Sequence, residues 1–297
     1  MSDSYLILGA TGMAGTAIYK ELRMRRKHVV GLSRNGPDIK IDLLYDQHKL
    51  KQIISALNPR VIINCAAIVS LTYCEEKPEE AEMINSKLVK TLQQICQALE
   101  IRLIHLSSDH FYTGDKDLLH SEIDETIALN VYAKTKLMAE KYALKADDSL
   151  VVRTNITGFR PGDTLSTFIE WLINSIQRRS EMILFDDFYA STIDVSSLSK
   201  ILLNPLLDES KGIINIGSSD CVSKKTFAYA IGDQLGVELN WVLSGSVAEQ
   251  TPRRAESLGL NCSKIEAVLN EAMPNHTTVA HNLVKQFSDL YAPKFNG

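Results

Sequence analysis

Four pairs of tyrosine and lysine, each spaced four residues apart, have side chains that could act together in proton transfer. A tyrosine can give a proton to a reacting oxygen, and a nearby lysine can lower the tyrosine pKa toward neutral pH, where acid catalysis is efficient. The spacing occurs in YDQHK, YCEEK, YTGDK and YAKTK, which begin at Tyr45, Tyr73, Tyr112 and Tyr132. Because the spacing is repeated, only the secondary structure around each pair can distinguish them.

Local sequence favours the last pair. The first lies in a loop or at a helix start, without a partner motif. In the second, a proline follows the lysine directly, and residues before proline avoid helical geometry. In the third, Thr-Gly-Asp after the tyrosine predicts a turn. Tyr132 and Lys136 instead lie in a predicted helix behind Asn130, a favoured N-cap, so they share one helix face about 6 Å apart.

A glycine-rich loop near the amino terminus predicts a dinucleotide site. Gly9, Gly12 and Gly15 form G-x-x-G-x-x-G between the buried strand YLIL and a predicted helix that ends near Arg25. Such glycines permit a tight turn, close approach of the backbone to a pyrophosphate, and packing of the helix on the strand. Free N–H groups at the helix start favour an anion. The glycine pattern is weak alone, but its position between strand and helix favours the site.

The end of the second predicted strand, HVVGLS, bears on the choice of cofactor. An NAD site usually has Asp or Glu there to bind the ribose 2′-hydroxyl, whereas this chain has Ser33 and Arg34. A guanidinium can bind a 2′-phosphate. The sequence therefore favours NADP(H), with NAD(H) still possible because arginines at strand ends are often solvated surface residues.

Strands and helices alternate along the chain, which predicts an α/β fold with a doubly wound parallel Rossmann sheet and a smaller C-terminal substrate-binding lobe. Further strands are predicted at VIIN, RLIHLS, LVVR and GIINIGS, and a long helix is predicted from Pro78. Residues 1–158 are assigned to the dinucleotide-binding domain, to which 189–223 return. Residues 159–188 and 224–297 are assigned to the lobe, where TLSTFIEWLINSIQRR has a helical apolar stripe.

Composition argues against several classes of protein. The 297 residues include 32 Lys and Arg against 36 Asp and Glu, and no basic cluster resembles a nucleic-acid site. No apolar run is long enough to cross a membrane, and the amino terminus has no leader pattern. Five scattered cysteines without C-x-x-C favour free thiols in the cytoplasm. The histidines lack metal-ligand spacing, so no metal site is expected.

The strand RLIHLS ends in polar residues that could complete a reaction site. Ser107, Ser108 and Asp109 follow it, and open α/β sheets bind ligands at the carboxyl ends of their strands. A serine there, Tyr132 and Lys136 on the next helix, and a nicotinamide cofactor together could reduce a carbonyl group.

These motifs resemble the extended short-chain dehydrogenase/reductase superfamily, and within it the dTDP-4-dehydrorhamnose reductase family of nucleotide-sugar reductases. SSDHFYTG is similar to the family's S-T-D-Y-V-F-x-G, and NVYAKTKLMAE to its N-V-Y-x-x-[ST]-K-x-x-x-E. GATGMAG, NCAA, RTNITG and GIINIGS fall in the expected order, so the resemblance covers nearly the whole chain. The order is more specific than any single motif.

The resemblance implies roles for individual residues. Tyr132 would protonate the developing alkoxide, Lys136 would support Tyr132 and bind the ribose, and Ser108 would orient the carbonyl oxygen. Asn85 corresponds in position to an asparagine of the superfamily's proton relay. The implied cofactor contacts are Gly9, Thr11, Gly12, Met13, Gly15, Ser33, Arg34, Asp42, Leu43, Ala66, Ala67, Tyr132 and Lys136. The implied substrate contacts are Ser108, Asp109, His110, Asn155, Arg160 and Arg253.

The chain departs from the family pattern around the sugar. His110 replaces the family's tyrosine, and the aromatic residue of its R-T-S-W stretch is missing from Arg153-Thr154-Asn155-Ile156. An aromatic face there would stack on a hexose, so the identity of the 4-keto sugar stays open. Asn155 instead resembles an epimerase-like branch in which an asparagine contacts the substrate diphosphate. Arg160 and Arg253 are further candidates for binding the diphosphate.

Three functions therefore remain open. The first is reduction of a nucleoside-diphosphate 4-keto-6-deoxy sugar, and the second is epimerisation of a nucleotide sugar with recycled NAD. The third is a non-catalytic NADP-binding regulatory subunit, as in the beta subunit of methionine adenosyltransferase, which resembles the same family. A homodimer is an expectation at family level only.

Overall fold

The computed structural model describes residues 4–160 and 167–291. The strands are β1 (Ser4–Leu8), β2 (His28–Ser33), β3 (Ile39–Lys40), β4 (Val61–Asn64), β5 (Arg102–Leu106), β6 (Leu119–His120), β7 (Ser149–Thr157), β8 (Ile183–Phe185), β9 (Tyr189–Ala190), β10 (Thr192–Asp194), β11 (Gly212–Ile216), β12 (Val222–Ser223), β13 (Leu243–Gly245) and β14 (Ser257–Leu260). The helices are α1 (Met13–Met24), α2 (Leu50–Leu57), α3 (Leu71–Glu76), α4 (Pro78–Glu82), α5 (Leu88–Leu99), α6 (Val131–Ala143), α7 (Phe168–Arg178), α8 (Val195–Leu202), α9 (Lys224–Gln234), α10 (Ser263–Leu269) and α11 (His276–Tyr291).

The main sheet is parallel and runs in the order β10-β7-β5-β4-β1-β2-β3, with β11 also paired to β7. Its central strands read as continuous apolar runs because helices cover both faces. Side chains alternate between the faces: Ile7 packs in one buried cluster, while its neighbours Leu6 and Leu8 pack in the other. The predicted doubly wound sheet is confirmed, and so is GIINIGS as one of its strands.

The carboxyl ends of the central strands meet at one edge of this sheet. The register pairs Leu8 of β1 with Asn64 of β4, and Asn64 with His105 of β5. The loops that follow these strands therefore bring Gly9, the segment after Asn64 and Ser108 to the same crevice, where open α/β sheets bind ligands.

The helix predicted from Pro78 is interrupted by a π-helical segment. Pro78 occupies the first turn of α4, and Met83–Lys87 adopts π-helical geometry before α5 continues to Leu99. The segment contains Asn85. Such single π turns often occur at functional sites because they redirect a side chain without ending the helix.

A third buried cluster joins α7, α9 and α11, in the region that the sequence assigns to the lobe. Thr167 starts α7 with a capping box, in which its hydroxyl accepts from the Glu170 N–H and the Glu170 carboxylate accepts from the Thr167 N–H. Leu165, predicted in the helical stripe, and most of the predicted turn over 158–164 lie outside the described residues. The division into two domains stays a prediction.

No helix in the described parts of the chain is both long and apolar enough to cross a membrane.

Candidate functional site

The glycine loop is shaped by close backbone packing. Gly9 has a φ of +75°, and a Cβ there would lie 2.8 Å from the backbone nitrogen of Ala66. A Cβ on Gly15 would lie 2.2 Å from the Gly9 carbonyl oxygen. Gly12 is the N-cap of α1 and offers no side-chain cap, and the first turn has no acidic residue. The first N–H groups of α1 are therefore available to an anion, so the loop fits a dinucleotide pyrophosphate.

The end of β2 has the polar character expected for NADP(H). Ser33 is buried and accepts a hydrogen bond from the Thr11 hydroxyl at 3.0 Å, while Arg34 is exposed. The next carboxylate along the chain, Asp38, accepts from the Gly31 N–H at 2.7 Å and from the Tyr19 hydroxyl at 3.3 Å. These bonds stabilise the loop after β2. Asp38 does not have the position of a carboxylate that binds the ribose 2′-hydroxyl at the end of β2.

Asp42 and Leu43 lie in the turn that follows β3. The Asp42 carboxylate accepts from the Leu44 N–H at 2.9 Å, which stabilises this turn, and Leu43 is buried. On the other side of β1, the Asn64 side-chain oxygen accepts from the Ala66 N–H at 3.2 Å. This bond fixes the segment that carries Ala66 and Ala67 beside Gly9.

Only one of the four tyrosine–lysine pairs lies on a continuous helix. Lys77 departs from helical geometry, with φ −131° and ψ 61°, and Lys116 has a left-handed φ of 53°. The pair at Tyr45 lies before α2, with its lysine in a single 3-10 turn. Tyr132 and Lys136 both lie in α6, as predicted.

Ser108 and Tyr132 lie close together in the crevice, and both residues are buried. The Ser108 hydroxyl accepts from the His110 N–H at 3.2 Å. Burial raises the pKa of Tyr132 to about 12, against the lowering effect of the nearby Ser108 hydroxyl. The protein chain alone thus does not lower the Tyr132 pKa through Lys136, as the sequence predicts, because the lysine amine is bound to other groups.

Lys136 is among the largest fully buried side chains of the protein. Its Nζ donates to the Leu106 carbonyl at 2.6 Å and lies 3.3 Å from Nε2 of His105. Burial lowers the pKa of Lys136 to about 8, although Glu140 and Cys65 act in the opposite direction. At neutral pH the lysine can therefore exchange its proton more readily than an exposed lysine.

Asn85 links three elements behind Tyr132. Its side-chain oxygen accepts from the Ile68 N–H at 2.8 Å, and its amide donates to the Thr135 hydroxyl at 3.1 Å. Thr135 in turn donates to the Tyr132 carbonyl at 2.8 Å. The asparagine thus holds the helix of Tyr132 against the loop after β4.

Among the predicted substrate contacts, Asp109 and Asn155 form a hydrogen-bonded chain with Thr192, in which Asn155 is half-buried. The Asn155 amide donates to Asp109 at 2.6 Å, and the Thr192 hydroxyl donates to Asn155 at 3.0 Å. Burial raises the pKa of Asp109 to about 7 despite these bonds. Asn155 therefore contacts Asp109 directly, and one of its two amide N–H groups is used in that bond.

His110 lies against Tyr132 in an edge-to-face arrangement, with ring centroids 5.8 Å apart, and its centroid is 6.3 Å from that of Phe188. Burial, with the charges of Arg254 and Lys224, lowers its pKa to about 4. The imidazole is therefore neutral at physiological pH, and it takes the place of the aromatic ring expected there.

Two cations at this site were missed by the sequence analysis. Lys224 opens α9 and lies over the rings of Phe168 and Phe188, 5.2 and 5.5 Å from their centroids. Burial lowers its pKa to about 8. The Nε of Arg254 is buried and has no hydrogen-bond partner among the described residues. The Ser223 cap before Lys224 marks a helix start, but no local signal places that helix beside Asp109.

A cavity of about 510 Å³ adjoins Arg254. Its lining includes Lys116, Tyr189, Arg253, Arg254 and Glu256. Arg253 therefore lies at a place where a bound anion could contact it. Arg160, the other predicted diphosphate contact, lies near the start of α7, where its N–H donates to Glu170 at 3.1 Å, and it is not among the residues that line this cavity.

The sequence of the chain is similar to those of known proteins. The family model described as RmlD substrate binding domain matches residues 3–288. A probable low-salt glycan biosynthesis reductase, Agl14 of Haloferax volcanii, is 25% identical over 297 residues, covering 95% of this chain and 98% of that protein. Methionine adenosyltransferase 2 subunit beta of Mus musculus is 27% identical over 296 residues, covering 95% of this chain and 87% of that protein.

The fold also matches a solved structure. The dTDP-4-dehydrorhamnose reductase of Bacillus anthracis, crystallised in complex with NADP, superposes with a TM-score of 0.84 at 19% identity. The match covers 96% of this chain and 99% of that one. At this identity the likeness concerns the fold.

Proposed function

Because the chain belongs to the RmlD substrate binding domain family, we propose that it is an NAD(P)H-dependent reductase of the extended short-chain dehydrogenase/reductase type. Its substrate is a nucleoside-diphosphate 4-keto-6-deoxy sugar, and NADPH is the preferred cofactor. The observation that carries the proposal is the placement of Ser108 close to Tyr132, with Lys136 on the same helix as Tyr132, beside a glycine loop that fits a pyrophosphate.

The residues divide the reaction between them. NADPH, when bound, supplies the hydride that the carbonyl carbon accepts. Ser108 and Tyr132 hold the carbonyl oxygen, and Tyr132 gives its phenolic proton to that oxygen as charge develops on it. Lys136 binds the ribose and returns a proton toward Tyr132. Arg253 and Arg254, which line the cavity, receive the anionic part of the substrate, together with Lys224 beside Asp109.

The cofactor would be held by the residues that the family resemblance implies. Gly9, Gly12 and Gly15 at the start of α1, with Thr11 and Met13, would hold the pyrophosphate. Arg34 and Ser33 would bind the 2′-phosphate, while Asp38, the next carboxylate along the chain, is bonded to Gly31 and Tyr19. Asp42 and Leu43 would contact the adenine, and Ala66 and Ala67 the ribose and nicotinamide.

The sharpest test follows NADPH absorbance with a panel of 4-keto nucleotide sugars. Wild-type protein is expected to consume NADPH with one member of the panel. Tyr132→Phe is expected to lose at least about 10²-fold in turnover while it retains NADPH binding, because only the proton donor is removed. Tyr45→Phe is the matched control: it alters an exposed tyrosine with the same spacing to a lysine and leaves turnover unchanged.

A regulatory role is the second candidate, because the methionine adenosyltransferase beta subunit matches this chain along 95% of its length. If no sugar of the panel causes NADPH to be consumed, and NADPH still binds tightly, the regulatory role is favoured. A cofactor that survives purification and is never consumed would favour the epimerase. Unchanged turnover in Tyr132→Phe would refute the assignment of the proton donor.

A further inference from the structure

Three buried side chains form a line behind the predicted proton donor. Asn64 ends β4, His105 lies beside it in β5, and Lys136 reaches them from α6. Asn64 and His105 are fully buried and Lys136 is 2% exposed. Nδ2 of Asn64 is 3.1 Å from Nδ1 of His105, and Nε2 of His105 is 3.3 Å from Nζ of Lys136.

The hydrogen-bond roles in this line can be worked out from its far end. The Asn64 side-chain oxygen accepts from the Ala66 N–H, so the amide nitrogen, which can only donate, faces His105. Nδ1 of His105 must then be the acceptor. Burial and the Lys136 charge lower the pKa of His105 well below its usual value, so the ring is neutral and carries its one proton on Nε2.

This tautomer directs an N–H at the lysine. A charged ammonium has three donors and no acceptor, so it would oppose Nε2–H, whereas a neutral amine has a lone pair that can accept it. The Leu106 carbonyl accepts from Nζ in either state. We propose that Asn64 fixes the tautomer of His105, and that His105 thereby weakens the proton affinity of Lys136 and sets it for proton exchange near neutral pH.

Other groups around Lys136 do not produce the same effect. Glu140, one turn further along α6, and Cys65, after β4, both favour the charged lysine. The influence of Glu140 is limited because its carboxylate accepts from Arg153 at 2.8 Å and from Ser107 at 2.6 Å. Burial acts against them and lowers the pKa of Lys136 to about 8. The direction of the His105 N–H would add to the effect of burial.

Asn64 and His105 are thus positioning residues, since they touch neither the proton donor nor the crevice. Their role in reduction, which is to let Lys136 pass a proton toward Tyr132, rests on the proposed function. The tautomer of His105 and the proton equilibrium of Lys136 do not depend on the proposed function, because both exist without substrate.

The first test is a measurement on the unchanged full-length chain. Nitrogen-15 NMR of the histidine rings distinguishes the two neutral tautomers, and loss of one ring signal in His105→Gln assigns His105. We expect the proton on Nε2. A proton on Nδ1 would overturn the proposal, whatever reaction the protein catalyses.

The second test reverses the tautomer with Asn64→Asp. A carboxylate only accepts, so it can keep the Ala66 N–H and also accept from Nδ1–H, which leaves the Nε2 lone pair to accept from a charged lysine. We expect the proton affinity of Lys136 to rise about tenfold, which is about one pKa unit. The measurement is a carbon-13 titration of lysine Cε signals, with Lys136 assigned by its loss in Lys136→Met.

Two controls separate the tautomer from added charge. Asn58→Asp places the same charge on an exposed residue before β4, at the opposite edge of the sheet from Asn64, and should leave Lys136 unchanged. The double variant Asn64→Asp/His105→Phe has no imidazole between position 64 and Lys136. The rise in the Lys136 pKa should therefore largely disappear. An equal rise in this double variant, or no rise in Asn64→Asp, would overturn the proposal. If the Lys136 pKa rises in Asn64→Asp but the wild-type protein has no reductase activity, only the proposed function is refuted.

Discussion

Single ionisable side chains set the electrostatics of the sugar side of the crevice. Burial raises the pKa of Asp109 to about 7 and lowers that of Lys224 to about 8. The two groups interact, and the Lys224 charge favours the ionised Asp109. Perturbed groups of opposite type that share a crevice are typical of functional sites. Lys224 therefore supplies a cation beside Asp109, a predicted substrate contact.

We predict that Lys224→Met will weaken substrate binding more than cofactor binding. Removing the ammonium leaves Asp109 without its nearby cation, which raises the pKa of that carboxyl further, and it removes a cation beside the predicted anion site. KM for the active 4-keto nucleotide sugar is expected to rise about tenfold with NADPH affinity unchanged, a loss in the range of one charge-assisted hydrogen bond.

The control for this prediction is Lys225→Met. Lys225 is the next residue of α9, but its Nζ binds the Ser244 hydroxyl and lies over Tyr229, away from Asp109. Steady-state kinetics and a cofactor titration on both variants provide the comparison. Equal effects of the two substitutions would show that Lys224 acts only through the general charge of the helix.

At the scale of elements, the cap of α6 lies just before the proposed proton donor and contacts an arginine that lines the cavity. The Asn130 side-chain oxygen accepts from the Ala133 N–H at 2.9 Å and caps the helix, which begins at Val131. Its amide donates to the Arg253 carbonyl at 3.0 Å. One residue thus fixes the start of α6 relative to an arginine of the cavity.

We predict that Asn130→Ala will lower the free energy of unfolding by about 1 kcal/mol, because a helix cap is lost. Asn130→Ser retains an oxygen that can cap the helix but removes the amide donor, so it should keep most of the stability while still releasing the Arg253 loop. Urea unfolding of both variants tests the difference. If serine and alanine destabilised the protein equally, the bond to Arg253 would be the important one.

At the scale of the whole molecule, buried charge makes folding depend on pH. The carboxyl of Asp109 has a folded pKa near 7 and a usual value of 3.8, so the folded chain binds more protons than the unfolded chain between these values. This group therefore adds stability as the pH falls through 7. His110, with a folded pKa near 4, acts in the opposite direction below about pH 6.5.

We predict that Asp109→Asn will gain stability relative to the wild type as the pH rises from 5 to 8. The amide carries no charge that must be buried above pH 7. Loss of Asp109 also lowers the pKa of Lys224 further, which acts in the same direction. Thermal unfolding at several pH values measures this difference. A difference that does not change with pH would mean that Asp109 stays ionised in the fold.

Much of the fold was predictable because its signals are local. The apolar run VIIN, the glycine loop and the Asn130 cap each specify an element through neighbouring residues, and the structure has each element there. The family resemblance that these motifs carried is confirmed by the match over residues 3–288. The π-helical segment at Asn85 was not predictable, since its sequence continues an ordinary helical pattern.

Local sequence was enough to predict that YAKTK is the pair on a capped helix and that Ser108 follows a buried strand, because capping and strand patterning act over a few residues. The surroundings of these residues depend on the folded structure. Lys224 reaches Asp109 from 115 positions away, and His105 meets Lys136 through the register of two parallel strands and a crossing helix. Such contacts depend on packing between distant segments, which no local pattern encodes.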